Sequence, residues 1–525
     1  MNFVDKAIGL ISPQWALNRE AAKRRMKILN SGYSNGGASF AKKSLIGWKG
    51  GTTDADEDIV DNLDVLRARS RLLYMTTPIA TGALKTIRTN VVGSGLSLNA
   101  QVDATYLGLS DEEAREWEAN TEREWRLWAE TVACDAERRQ NFYQLQSLVV
   151  LSTLMSGDCF VVMPMIKRVG SIYDLRVGII EADRVCNPPE ANVLSTKNIL
   201  GGIEVGKYGE SVAVHVANRH PSATSRTLET SLVKWTRVPI FGERTGRRNV
   251  LHVMTDVERP AQRRGVPILA PVIEELKQLK RYSDAELMAA VISGMFTVFV
   301  TTPNPNEDMP FGGGGLPVMQ RIDPDPQAYE LGNGAIVQLA EGEKVEIADP
   351  KRPSVAFDGY VQAVCRHIGA ALEIPYELLL KHFTSSYSAS RAALLEAWKM
   401  FRMRREWLVT SFCQPIYEEW LTEAVAKGRI QAPGFFADPA VRAAWCGAEW
   451  HGDAQGQLDP LKEVNAAVVR VKNGFSTISR EAAEMTGMRM DSIVRTRARE
   501  EALLKAAGLT LGGSTLQEEK EKDDE

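Results

Sequence analysis

The 525-residue sequence predicts an α+β fold, mainly helical. Three observations carry that reading. Long stretches repeat apolar residues at helical spacing and open on capping residues. Between residues 157 and 256 the period changes to strand-like runs broken by Gly, Pro and Asn. A short second strand section, rich in Gly and Pro, follows a long helix. The chain exceeds one ordinary core, so two to four substructures are expected.

Residues 31–64 are Gly-, Ser- and Asp-rich and read as an extended arm. Asp64–Val92 then sets Leu66, Leu72, Leu73, Ile79, Ala83, Leu84 and Ile87 on one apolar helical face, broken at Pro78. Ser110 precedes Asp111, Glu112 and Glu113, a capping start with acids in the first turn. Trp117, Trp125 and Trp128 lie on that helix and suit core packing better than ligand stacking. A third helix is expected over Phe142–Met155.

The runs CFVVMPMIKR, LRVGIIEADRV, SVAVHVANRH and RVPIFGERTGRRNVLHVM predict a mostly antiparallel sheet packed on these helices. After Pro267 a helix of some 28 residues, roughly 42 Å at 1.5 Å per residue, runs to Gly294. The strand FTVFVTT, a loop with glycines at 312–315, and the strand-like AIVQL and KVEIA follow. A helix from Pro353 to Leu372 comes next, with Pro375 near its end. Six hydroxyl side chains crowd Thr384–Ser390, with Ser388 as a candidate N-cap. A helix of 27 residues then reaches Pro415 and continues, kinked, to Lys427. Residues 430–507 read as a compact helical cap ending in a helix over Ile478–Ala507.

Composition excludes several classes. The hydrophobic share of 44% and charged share of 25% are those of a folding globular chain. No apolar run reaches the roughly 18 residues of a membrane span, and the N-terminus lacks the order of a secretory signal. The six cysteines are scattered without a C-x-x-C, which fits buried thiols in a reducing compartment. The six histidines are equally dispersed, so neither a metal nor another cofactor is expected. Residues 1–50 hold nine Lys/Arg against Asp5 and Glu20, while 517–525 hold six acids and two lysines. Both ends read as solvated and mobile, or the basic one touches nucleic acid or an acidic partner. No strongly basic domain or reader motif indicates sequence-specific DNA binding.

Three motifs invite chemistry. Gly201–Lys207 nearly matches a phosphate-binding loop, but Tyr208 replaces the metal-binding hydroxyl and a strand follows instead of a helix, so it reads as a Gly turn. Ser39 and Lys42 have the S-x-x-K spacing of some acyl enzymes without the motifs that accompany it. Ser386 could be a nucleophile with His382 as base, but no third group orients the pair and no G-x-S-x-G frames it. What remains is a loop holding Lys381, His382, Thr384, Ser385 and Ser386, with no carboxylate between Glu377 and Glu396. Chemistry alone leaves two readings. It is an ordinary polar connection, or a surface past which DNA slides, since each firm phosphate contact adds to a salt-dependent hold.

Seven ordered segments resemble the portal proteins of tailed bacteriophages, in the lambda-like branch, over roughly residues 20–507. They are GYSNGGASF…GW (32–48), LRARSRLLYMTTPIATGALKTIRTNVVGSGL (66–96), SGDCFVVM (156–163) and RGVPILAPVIEELKQLKRYSDAELMAAVISG (264–294). The remainder are EIPYELLLKHFTSSYSASRAALLEAWKMFRMRREWL (373–408), QAPGFFADP (431–439) and WHGDAQGQLDPLKEVNAA (450–467). The resemblance implies a homo-oligomeric ring, usually of twelve subunits, at one capsid vertex of the virion, assembled in the host bacterial cytoplasm. Double-stranded DNA would pass through its centre non-specifically, driven by a separate terminase, and leave by the same route at ejection. The scaffold and major capsid proteins and the neck or tail adaptors would be its other partners. No enzymatic activity is implied; a capsid-associated serine hydrolase or maturation protease, with Ser386 or Ser39 as nucleophile, is the competing class.

Mapped by segment order, the resemblance implies a basic arm at 1–54, a wing of helices and antiparallel sheet at 55–260, and a stem helix at 261–296. A clip at 297–350 and a second stem helix at 351–380 follow. Residues 381–390 would be the tunnel loop facing DNA, and 391–429 the long helix behind it. The crown would span 430–508, with an acidic tail at 509–525.

Overall fold

The computed structural model describes residues 53–189, 198–222, 233–254, 256–294, 298–301, 344–347, 357–383, 386–456, 460–486 and 490–506. The first of two units, Met1–Glu57, is described from residue 53, where the Glu57 N–H donates to the Asp54 carboxylate at 2.8 Å. The second unit, Asp58–Glu525, holds the helices and sheets.

Two of its longer helices are α1 (Leu63–Thr76) and α2 (Pro78–Val91), separated at the expected break because Pro78 opens the second. Ala80, Ala83, Leu84 and Ile87 are fully buried, as their spacing requires. Leu72 departs from the expected face: it is 55% exposed while its neighbour Leu73 is buried, since adjacent helical residues point about 100° apart. A short strand, β1 (Ser97–Ala100), precedes α3 (Asp111–Ala129). Ser110 and Glu113 form the full reciprocal cap there, each side chain bonding the other's backbone N–H. The next helix, α4 (Phe142–Ser156), starts on a second such box between Asn141 and Gln144.

The strand section forms two antiparallel sheets. One has the order β3-β2-β8, with β2 (Asp158–Val162), β3 (Gly178–Ile180) and β8 (Val250–Met254). The other runs β4-β5-β6-β7 through Ile199–Leu200, Ile203–Val205, Ser211–Ala217 and Trp235–Pro239. Phe160, Ile180, Ile203, Val214, Val216 and Val250 form an apolar layer contributed by both sheets. Gly201 and Gly202, both at positive φ, make the two-residue turn between β4 and β5. The Gly201–Lys207 segment is therefore a hairpin, as its missing hydroxyl suggested.

The long helix expected from Pro267 starts later, as α5 (Ile273–Gly294), after a 3-10 turn at Ala270–Val272. Pro271 has no N–H to give an α-helical bond, and the tighter turn satisfies Ala270 and Val272 from Pro267 and Leu269 instead. A hairpin of β9 (Val298–Thr301) and β10 (Lys344–Ile347) is described beyond it; the AIVQL segment and the glycines at 312–315 lie outside the described residues. Then come α6 (Phe357–Ala371), α7 (Tyr376–Leu380) and α8 (Tyr387–Leu408). The kink expected at Pro415 is a π-helical turn, Val409–Cys413, leading into α9 (Gln414–Ala426). Pro415 withholds one backbone donor, and the Thr410 and Ser411 hydroxyls bond back to the carbonyls of Glu406 and Trp407, widening the turn.

The expected helical cap at 430–507 contains a strand. After α10 (Pro439–Trp445), β11 (Ala448–His451) pairs antiparallel with β1, Leu98 opposite Trp450. Alternation around one buried tryptophan is too short a signal to read as a strand in a helical context. Three helices close the described chain: α11 (Pro460–Lys472), α12 (Ile478–Thr486) and α13 (Met490–Ala506); of the helix expected over 478–507, residues 487–489 and 507 lie outside the described residues.

The main core is aromatic. Trp125 meets Phe142 at 5.1 Å, Trp420 at 5.1 Å and Trp450 at 5.9 Å, while Phe142 stacks on Phe412 at 5.5 Å. Trp117 packs on Trp445 at 4.9 Å, so all three tryptophans of α3 serve packing as expected.

Candidate functional site

The loop that sequence reading singled out is held between two anchored helices. At the end of α6, Leu372 and Ile374 are buried and the Ile374 N–H donates to the Gly369 carbonyl at 2.9 Å. Pro375 opens α7, whose Leu379 is also buried. Lys381 ends that helix in the left-handed region, at φ 55°. Both Lys381 and His382 give their N–H groups to the Glu377 carbonyl. This terminus leaves Lys381, His382 and Phe383 exposed.

Thr384 and Ser385 lie outside the described residues. Ser386 is exposed and is the N-cap of α8, so the helix starts within the segment expected as loop, and Ser388 sits inside it. The reason is backbone geometry: Ser386 is extended, and its carbonyl already accepts from the Ser390 N–H at 3.0 Å. Its hydroxyl sits 3.2 Å from that of Ser388. Of the expected residues, Lys381, His382 and Ser386 therefore share one short exposed connection.

Behind the loop, α8 is firmly seated only in its second half. Among the described side chains of 386–396, Ser390 alone is buried, whereas Ala397, Trp398, Met400 and Phe401 all are. Arg404 donates to Asp256 at 3.0 Å, and Arg405 to the carbonyls of Val91 and Asn90 at 3.0 and 3.1 Å. Burial lowers the Arg405 pKa. The arrangement is a projecting helix start with one cation, an imidazole and hydroxyls. It can touch a polyanion without holding it tightly.

A second constellation, missed in the sequence, is a buried charge cluster. Asp158, on β2, is fully buried and accepts from Arg67 of α1 at 2.9 Å, Arg264 at 2.7 Å and the Gly265 N–H at 3.1 Å. The His252 ring of β8 lies 3.1 Å away. Arg264 also donates to the carbonyls of Ala182, Val185 and Gly201. Burial alone would raise the Asp158 pKa; the Arg264 and Arg67 charges overcome it and hold the carboxyl far below its usual range. The cluster ties α1, both sheets and the segment leading into α5. Gly157 and Gly265 meet there, where a β-carbon on either would collide with the other's carbonyl.

Beside it, Glu181, Asp183 and His220 place potential ligand atoms within 4.8 Å of one another. Arg71 contacts Asp183 and lies 3.3 Å from Glu181, and Arg67 is 3.5 Å from Asp183. Guanidinium charge already balances these acids, so the trio reads as the outer part of the same cluster. For the hydrolase alternative, Ser386 pairs with Ser388, no hydrogen bond joins it to His382 among the described residues, and Ser39 lies outside them. Burial pushes the Cys134 and Cys446 thiols up to about 12, so neither is a poised nucleophile.

Residues 42–405 match the family model described as phage portal protein, lambda family. Portal protein B of Escherichia phage lambda is 25% identical over 499 residues, covering 91% of this chain and 91% of its own length. The portal protein of Escherichia phage N15 has the same identity and coverage. Among solved structures, the neck of an empty GTA particle superposes with a TM-score of 0.45 and 13% identity, covering 84% of this chain and 96% of that one.

Proposed function

The chain belongs to the lambda family of phage portal proteins, and on that premise we propose how its parts serve a head–tail connector. Copies of the chain form a ring at one vertex of the capsid, through which DNA enters under a separate terminase motor and leaves at ejection. The family match across residues 42–405 carries this reading. In that ring α5 and α6 form the stem, the β9–β10 hairpin belongs to the clip that meets terminase and then neck proteins, and α1 to β8 form the wing. The crown lies toward the C-terminus.

Lys381, His382, Thr384, Ser385 and Ser386 face the channel. The support is physical: the described part of this segment is exposed, carries no acid, and starts a helix whose buried half is locked to the core. A ring of lysines attracts the duplex, and neutral hydroxyls let it move, because total hold scales with the number of firm phosphate contacts.

Two measurements test this. Negative-stain averaging with solution mass of the purified chain is expected to give a rotationally symmetric ring with a central hole. Lys381→Glu is expected to keep that ring while packaged DNA per particle falls several-fold. Normal packaging in the variant would remove Lys381 from the channel.

A further inference from the structure

The first half of α8 lacks the three local supports that usually hold a helix start. Its N-cap, Ser386, makes no side-chain bond to the first turn. No acid stands in that turn to meet the helix dipole. Among the described side chains of 386–396 only Ser390 is buried, so the seat that holds Ala397, Trp398, Met400 and Phe401 does not extend to it. A helix start of this kind frays unless something outside it holds it.

The holding contact comes from the far end of the described chain. Arg391, Leu394, Leu395 and Arg402 lie within an arc of about 100° on α8, since three, four and eleven residues bring a helix back to nearly the same side. They line a gap of about 160 Å³ whose other wall is α11 and α12. To this gap α8 brings two cations and no acid, while Glu463 of α11 and Glu481 and Glu484 of α12 stand opposite. Arg470 holds Glu481 in a two-pronged bond of 2.8 and 2.6 Å, which ties α11 to α12, and Arg480 donates to Glu484 at 3.3 Å. Glu463 turns to α8, its carboxylate 3.7 Å from the Arg391 guanidinium. Among the described residues this is the one ion pair that joins 386–396 to another element. Ala466 and Met485 line the same gap and offer apolar surface to the two leucines.

We propose that α11 and α12 brace the start of α8, with Arg391 and Glu463 as positioning residues for the channel-facing segment that precedes it. The inference rests on the channel reading above and names what holds that segment in place. An ion pair this exposed adds little to the stability of the whole chain. Its effect is local: it keeps the first turns of α8 wound, and so keeps Ser386 and the residues before it in one place as DNA passes.

The test is hydrogen exchange on the assembled full chain, read beside packaged DNA per particle. Glu463→Arg is expected to speed exchange in 387–396 about two- to fivefold and leave 397–408 and the mass in solution unchanged. Packaged DNA is expected to fall several-fold. Arg391→Glu combined with Glu463→Arg exchanges the two charges and is expected to return both readings to those of the wild type. Exchange in 387–396 that stays at the wild-type rate would overturn the brace. So would an exchanged pair that rescues neither reading. Faster exchange with normal packaging would overturn the positioning role. Lys381→Glu, measured alongside, separates that result from a failure of the channel reading: if Lys381→Glu also packages normally the channel reading falls, and if it alone is defective only the brace does. Should Glu463→Arg alter the mass in solution, Glu463→Gln removes the attraction without adding repulsion and is judged by the same readings.

Discussion

Asp158 is the residue on which Arg67 of α1, Arg264, the Gly265 N–H and the His252 ring converge. Removing its charge leaves Arg67 and Arg264 facing each other in a site closed to water. Breaking one partner of a buried ionic set costs about 3–5 kcal/mol, far more than the pair contributes over an apolar replacement. Asp158→Asn is therefore expected to lose about that much stability, read as a lowered midpoint in urea with an unchanged slope. Glu124 of α3 is a milder, partly buried version elsewhere in the fold: Arg429 holds it in a two-pronged bond of 2.7 Å each and lowers its pKa. Legibility at this scale follows sequence distance. The Ser110–Glu113 box was readable because its partners are three apart. The Asp158 cluster was not, because Arg67 and Arg264 lie 91 and 106 positions away and nothing local marks an aspartate in a strand as paired.

At the scale of elements, α8, the π turn and α9 behave as a lever on a fixed seat. Tyr417 and Trp420 bury α9 in the aromatic core, and Glu423 accepts from the backbone N–H groups of Asp174 and Leu175 at 2.5 and 2.9 Å. The wide turn takes up one residue more than an α turn would. Deleting Thr410 is expected to close it to four α-helical residues, which at about 100° each turn nearly as far as five at the wider spacing, so α8 keeps its rotation relative to α9. Arg404 then stays on Asp256 and Arg405 on Val91, and the variant should keep its wild-type mass in solution and melt within a few degrees of the wild type; circular dichroism and solution mass check both. A variant that melts far lower would mean the wide turn itself is required. The sequence announced a kink through Pro415 but could not distinguish a bend from an inserted residue. It likewise missed β11, whose partner strand lies at the other end of the chain, while α3 and α4, each capped locally, were readable almost to the residue.

For the whole molecule, acid is the expected weak side. Asp158 and Glu124 both have folded pKa values below their unfolded ones. Their contribution is complete above the unfolded carboxylate range, near pH 4, and is lost as pH falls through that range toward the folded values. Unfolding free energy is thus expected to drop on acidification below about pH 4, and Asp158→Asn should flatten that decline. A wild-type stability that stays level between pH 5 and 2 would contradict the ionic account. Fold class and family were legible because they draw on many segments at once. The residues proposed to face the channel were legible only as a polar loop, since which way a loop points in an assembly is a property of several chains.

The pairing of β1 with β11 also sets a timetable. Ser97 and His451 meet across 354 positions, so at 5–20 residues per second the ribosome needs about 20–70 s between making one strand and the other. Through that interval Trp125 and Phe142 have emerged without Trp450 to cover them, and β1 is a bare edge. Nascent chains are therefore expected to depend on holding chaperones until residue 451 clears the exit tunnel. Chains stopped short of Ala448 should collect in the pellet, while those stopped after residue 456 stay in the supernatant.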